Sequence, residues 1–201
     1  MEHKRAMKIA DILLERLYPA CERMEIAGSL RRGKADVKDI EIVAIPDMTP
    51  VPAPKPKLEF GKPIPRLTGY KTQLDALLAD ASMNGFLEFE KNGDKFKKLV
   101  YFEGSTPVIK IDLFLVTPPA RWGVQFLIRT GPADFSHWAV TRRKTGGALP
   151  NGYRVQDGAV WRGEHENETQ NLIGFDSELE FIEFLGLDWI DPAKRVAVWT
   201  K

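Results

Sequence analysis

Two stretches, Asp39-Ile40-Glu41-Ile42-Val43-Ala44-Ile45 and Val108-Ile109-Lys110-Ile111-Asp112-Leu113-Phe114-Leu115-Val116, constrain this chain more than any other feature. Each reads as a strand rich in β-branched residues. A strand's period of two puts Asp39 and Glu41 on one face and sends Ile40 and Ile42 the other way, into a core. Asp112 falls in the middle of the second run, where a carboxylate is costly unless something neutralises it. Three converging carboxylates repel one another. Mg²⁺ resolves the repulsion, because a hard dication takes carboxylate oxygens and water and completes its octahedron with substrate phosphates.

The segment before the first acids supplies positive charge. Arg23-Met24-Glu25-Ile26-Ala27 reads as a short strand, after which Gly28-Ser29 turns the backbone into a short helix beginning at Leu30-Arg31-Arg32. Such a start aims N–H groups at an anion, and the Ser29 hydroxyl and an arginine fork add directed donors. A nucleoside triphosphate suits that donor set.

Elsewhere, punctuation organises the chain. Lys4 to Tyr18 reads as an amphipathic helix with Ala6, Ile9, Ala10, Leu13, Leu14 and Leu17 on its apolar side. Seven prolines from Pro46 to Pro65 make a long loop with a short strand around Leu58 to Phe60. Leu67 to Ala81 reads as a helix starting at Thr68, followed by strands at Phe86 to Glu90 and Phe96 to Phe102 joined at Asn92-Gly93-Asp94. After Thr117-Pro118-Pro119 come helices over Trp122 to Leu127 and Asp134 to Arg143. A hairpin follows across Gln156-Asp157-Gly158, then a helix over Ser177 to Leu185 capped by Asp176 or Ser177 and stopped by Gly186.

Lysine and arginine total 29 against 28 acids, a formal net charge of +1, so overall charge does not argue for nucleic acid. Local clusters do more: Lys91, Lys95, Lys97 and Lys98; Arg142-Arg143-Lys144; and Lys55, Lys57, Lys62, Arg66 and Lys71 in the loop. Each is either a solvated surface or a phosphate contact. The single cysteine, Cys21, excludes an internal disulfide framework and a thiolate zinc site. No stretch is apolar enough to span a bilayer and no signal-peptide core follows Met1, so a cytoplasmic, bacterial or virus-encoded protein is expected. His3, His137 and His165 are scattered and none reads as catalytic. The five tryptophans read as packing residues more than base-stacking platforms.

Gly28-Ser29 followed by Asp39-Ile40-Glu41 and by Asp112 on a later strand resembles the polymerase β nucleotidyltransferase superfamily. Gly28-Ser29-Leu30-Arg31-Arg32-Gly33 resembles the version found in family X DNA polymerases. Arg129-Thr130-Gly131-Pro132-Ala133-Asp134-Phe135-Ser136 resembles the segment those enzymes place around the incoming nucleotide. Leu185-Gly186-Leu187-Asp188-Trp189-Ile190-Asp191-Pro192-Ala193-Lys194-Arg195 is similar to their C-terminal tail.

The resemblance implies an α/β (α+β) fold: a polymerase β-like palm with a mixed sheet flanked by helices over 1–119, carrying the proline-rich loop 46–66. It further implies a small C-terminal α+β subdomain over 120–201 that closes on the nascent base pair. It implies that Asp39, Glu41 and Asp112 hold two Mg²⁺ ions, with Mn²⁺ able to substitute, and that Asp112 helps deprotonate a primer 3′-hydroxyl. Gly28, Ser29 and Arg32 match the positions gripping the triphosphate, and Arg129, Thr130, Gly131 and Ser136 those around sugar and base. Arg31 has no such role and is expected to be a surface or DNA-facing cation.

The chain also departs from the family. Ile128 and Arg129 stand where two aromatics precede Thr-Gly, which implies loose sugar discrimination. Ser136 replaces an asparagine, and a further arginine is matched only by Arg142 or Arg143. Nothing before Gly28 matches the family's DNA-gripping lyase domain. The expectation is a minimal, monomeric DNA-directed DNA polymerase that adds a nucleotide from a dNTP to a primer on primer/template or gapped DNA, in gap filling or repair. A template-independent terminal or RNA nucleotidyltransferase is one alternative. A non-catalytic DNA-binding protein of the same fold is the other.

Overall fold

The computed structural model of the 201-residue chain describes residues 1–49, 58–59, 62–63, 72–163 and 171–200. Helix α1 spans His3–Leu17 and turns Ala6, Ile9, Ala10, Leu13 and Leu17 inward, the three- and four-residue spacing of an amphipathic helix. Strand β1 (Cys21–Ile26) leads into the short helix α2 (Gly28–Arg31), and β2 covers Asp39–Pro46. Of the loop expected over 46–66, the described part holds two short strands, β3 (Leu58–Glu59) and β4 (Lys62–Pro63), paired antiparallel.

Helix α3 spans Gln73–Met83. Its start is Thr72, where the sequence reading placed Thr68. The reason lies in the residue three positions on: the Asp75 N–H donates to the Thr72 hydroxyl (3.2 Å) while the Thr72 N–H donates to the Asp75 carboxylate (3.1 Å). Lys71 stands three after Thr68 and offers no such acceptor. Strands β5 (Leu87–Asn92), β6 (Phe96–Glu103) and β7 (Thr106–Leu115) follow.

These strands build a five-stranded mixed sheet in the order β1-β2-β7-β6-β5, antiparallel except for the parallel β2–β7 pair. Alternation then sorts the side chains. Ile40, Ile42, Ile111 and Leu113 face α1 and α3 and form the larger core with Leu13, Leu74, Leu78 and Leu99. Asp39, Glu41 and Asp112 occupy the opposite face.

The second half contributes α4 (Trp122–Thr130) and α5 (Ala133–Val140), the hairpin of β8 (Tyr153–Gln156) and β9 (Ala159–Arg162), a further strand β10 (Leu172–Ile173) on β9, and α6 (Glu178–Phe184). α5 ends three residues short of the Arg143 expected from sequence, because the Thr141 backbone is extended. α6 starts at its cap, with the Glu180 N–H donating to the Ser177 hydroxyl (3.2 Å). Val124, Leu127, Phe135, Trp138, Phe175 and Phe181 form a second core. A third cluster of Ala27, Val43, Val116, Trp122 and Phe126 packs α4 onto the acid-bearing face of the sheet, beside the carboxylates. Trp122, Trp138 and Trp161 are core residues, whereas Trp189 and Trp199 are about half exposed. No helix among the described residues is long and apolar enough to cross a membrane.

Candidate active site

The parallel pairing of β2 with β7 sets Glu41 opposite Asp112 and Asp39 opposite Lys110. Adjacent strands lie about 4.8 Å apart, so Glu41 and Asp112 are immediate neighbours, and Asp39 joins them two residues along the same pleat. The charges feel one another. Burial and then the Asp39 charge push the Glu41 carboxyl up to about 7, with Asp112 adding to the rise and Arg32 and the Ser29 N–H opposing it. Burial likewise raises the Asp112 carboxyl, which Asp39 and Glu90 raise further, while Lys98 and Arg129 restrain it. The three carboxylates the sequence singles out are therefore brought together.

Why α2 sits beside them follows from two residues. Leu30 is buried in the main core and pins the turn. Gly28 holds φ +59°, and a Cβ there would lie 1.6 Å from Glu41 Oε2; only glycine leaves room for that carboxylate. Glu41 packs on Gly28 and accepts from the Ser29 N–H. Among the described residues, no group of three carboxylate, imidazole or thiol side chains is arranged to hold a metal ion as it stands.

Four polar atoms in this region are buried without a hydrogen-bond partner among the described residues: Ser29 Oγ, Arg32 Nε, Arg129 Nε and Asp112 Oδ1. Buried polar atoms are normally paired. A hydroxyl, two guanidinium N–H groups and a carboxylate oxygen left open together are the donor and acceptor set of a phosphate-and-cation site. In kind, the all-oxygen set of Asp39, Glu41 and Asp112 fits a hard dication.

Arg129 lies with its guanidinium 4.0 Å over the Phe114 ring, and Phe114 stacks on Phe96 at 4.9 Å. Asp112, Phe114, Gln125, Arg129, Asp157 and Gly158 line a cleft of about 580 Å³. Lys95 and Asp157 form an ion pair at its edge (3.1 Å).

The remaining expected residues go elsewhere. Thr130 is fully buried and serves the arginines: its hydroxyl accepts from Arg31 Nη1 (2.6 Å) and its carbonyl from Arg32 Nη1. Gly131 holds φ +71°, and a Cβ there would meet Arg32 Nη1 at 2.8 Å. Ser136 is buried and its hydroxyl donates to the Ile128 carbonyl (2.8 Å), so it ties α5 to α4.

Arg31 is a correction. It forms a two-pronged pair with Glu178 (3.1 and 2.8 Å) and lies over Phe126 (4.0 Å). Arg195 reaches the same Glu178 oxygen from the C-terminal segment at 2.7 Å. Burial alone would raise the Glu178 carboxyl, but hydrogen bonds from Arg195 and Arg31 hold it below the usual range. Arg31 is therefore not a free surface cation: its guanidinium is committed to Glu178 on α6, 147 residues away in the chain.

Of the basic clusters, Lys97 is buried and paired with Asp75 (2.8 Å). Arg142 Nε donates to the Tyr153 carbonyl and Arg143 to the carbonyls of Ala148 and Leu185. The side chains of Lys55, Lys57, Lys62, Arg66 and Lys71 lie outside the described residues. No protein-family model matches the chain, and no curated protein matches it.

Proposed function

We propose that this chain is a DNA-directed DNA polymerase of the family X kind, transferring a nucleotidyl group from a dNTP to a primer 3′-hydroxyl. One observation carries the reading: three carboxylates share one sheet face beside Ser29, Arg32 and Arg129, whose Oγ and two Nε atoms are buried with no partner among the described residues. In the reaction, the primer 3′-oxygen forms a bond to the α-phosphorus, the bond from that phosphorus to the β-phosphate oxygen breaks, and pyrophosphate leaves. Ser29 and Arg32 bind the phosphates of the departing group. The open Asp112 oxygen accepts the hydroxyl proton. Mg²⁺ or Mn²⁺ ions held by Asp39, Glu41 and Asp112 would supply Lewis-acid polarisation and neutralise charge on the phosphoryl group.

Ser136 gives a second reading some support. Its hydroxyl is committed to Ile128 rather than offered to a base edge, which favours untemplated tailing over faithful copying. Primer extension with matched template, mismatched template and no template in Mg²⁺ separates the cases. Templated incorporation is expected. Tailing without template supports the second reading, and absence of divalent-dependent incorporation refutes nucleotidyl transfer and leaves the non-catalytic alternative.

A further inference from the structure

We propose that Arg129 is an anion-binding residue of this site, a second guanidinium arm beside Arg32 that grips the polyphosphate, held in place by stacking on Phe114. The inference rests on the functional reading above and deepens it.

Four observations converge. First, Arg129 sits in the last turn of α4 with its Nε buried and unpartnered among the described residues, just as Arg32 Nε is on α2. Second, the charges of Arg129 and Arg32 both act on Glu41, and that of Arg129 acts on Asp112 as well, so both guanidiniums lie within electrostatic range of Glu41. Third, Arg32 Nη1 donates to the carbonyl of Thr130, the residue next to Arg129, which brings the Arg32 side chain to the C-terminal end of α4. Fourth, Phe114 lies two residues beyond Asp112 on the same pleat and carries the Arg129 guanidinium 4.0 Å above its ring, with Phe96 stacked on Phe114 in turn.

A stacked guanidinium has lost much of its rotameric freedom before any ligand arrives, so fewer degrees of freedom are frozen on binding. The planar fork keeps its N–H edge for acceptors while its face rests on the ring. A polyphosphate has the acceptor oxygens and the charge that two such edges require. A neutral nucleoside has neither, so the arm discriminates by phosphate content.

The test is calorimetric titration of inorganic tripolyphosphate, in Mg²⁺, into wild-type protein and the Arg129→Ala, Arg129→Lys and Phe114→Leu variants, with adenosine as an uncharged comparison. Arg129→Ala should lose at least about tenfold in tripolyphosphate affinity, the scale of a charged hydrogen bond, and leave adenosine unchanged. Arg129→Lys and Phe114→Leu should each lose part of that affinity, since one keeps charge without the fork and the other frees the fork from its seat. Wild-type tripolyphosphate affinity in Arg129→Ala overturns the proposal. If Arg129→Ala does not fold, Arg129→Lys and Phe114→Leu decide it, and wild-type affinity in both overturns it. Primer extension on the same samples separates the two readings. Arginine-dependent tripolyphosphate binding without extension retains the clamp and rejects the polymerase, whereas extension with arginine-independent binding does the reverse.

Discussion

Arg31 and Arg32 are consecutive residues that end in charge clusters of opposite character. Arg31 joins Arg195 on Glu178, where both carboxylate oxygens are used and the anion is almost fully enclosed. Arg32 faces Glu41, whose neighbours Asp39 and Asp112 are also anions, and open polar atoms remain on Ser29, Arg32, Arg129 and Asp112. In the first cluster the anion is fully paired between two guanidiniums, with Arg195 Nη2 left unpartnered among the described residues, and the pairing holds α2 to α6. The second carries an excess of carboxylates and unused donors, an arrangement that a fold tolerates where a ligand completes it. What separates scaffold from site is the balance of charge: one carboxylate shared by two guanidiniums in the first place, three carboxylates on one sheet face in the second.

The contrast is sharpest under mutation. Asp112→Ala should abolish nucleotide incorporation, by about three orders of magnitude or more as a charge-stabilising group of phosphoryl transfer is lost, while DNA affinity in a gel-shift titration stays near wild type. Retained turnover would remove Asp112 from the chemistry. Glu178→Ala should act on stability instead: stranding two enclosed guanidiniums costs about 3–5 kcal/mol, a drop of roughly 10 °C in melting temperature for a chain of this size. A melting curve matching wild type would show that the trio does not hold α2 to α6. Arg32→Ala should raise the apparent KM for dNTP about tenfold, with a smaller change in kcat, through loss of a phosphate-directed fork. An unaltered nucleotide dependence would take Arg32 out of the pocket.

The smallest effect is also the most diagnostic, because the two clusters should respond to pH with opposite sign. Glu41 moves from an ordinary 4.5 up to about 7 in the folded chain. Between those values the unfolded chain has released a proton that the folded chain keeps, so this group lowers stability as pH rises. Glu178 is held below its ordinary value. Its contribution is present above that ordinary value and is lost as pH falls through the folded one. In chelator, the melting temperature of Glu41→Gln should therefore decline less than wild type from about pH 4.5 to 7, and Glu178→Gln should lose the acid-side fall. The same slope in Glu41→Gln as in wild type would contradict the buried, repelled carboxylate.

The sequence made the sheet legible because period-two alternation in Asp39–Ile45 and Val108–Val116 admits one sorting of faces, and the structure has that sorting. Gly28 was legible as a special backbone position, though its cause, the Glu41 carboxylate packed against it, was not. Arg31 was misread because its partner Glu178 is remote in sequence and lies on a helix with no motif to mark it. Ser136 was legible by position only; whether a buried hydroxyl faces a ligand or a carbonyl of the preceding helix depends on how α5 packs against α4. Thr68 lost to Thr72 for a reason present in the sequence, the acid three residues on. Local pattern thus fixed elements and pleats, while long-range pairing decided which charges were free.

Thr130 touches both arginines, the hydroxyl under Arg31 and the carbonyl under Arg32. One enclosed residue therefore links the arginine proposed to grip substrate with the arginine that pairs with α6, so that occupancy of the proposed phosphate site is expected to be felt at α6. A fluorophore at the exposed Leu179 position on that helix should report occupancy of a pocket it never touches, and its response should vanish in Arg31→Ala.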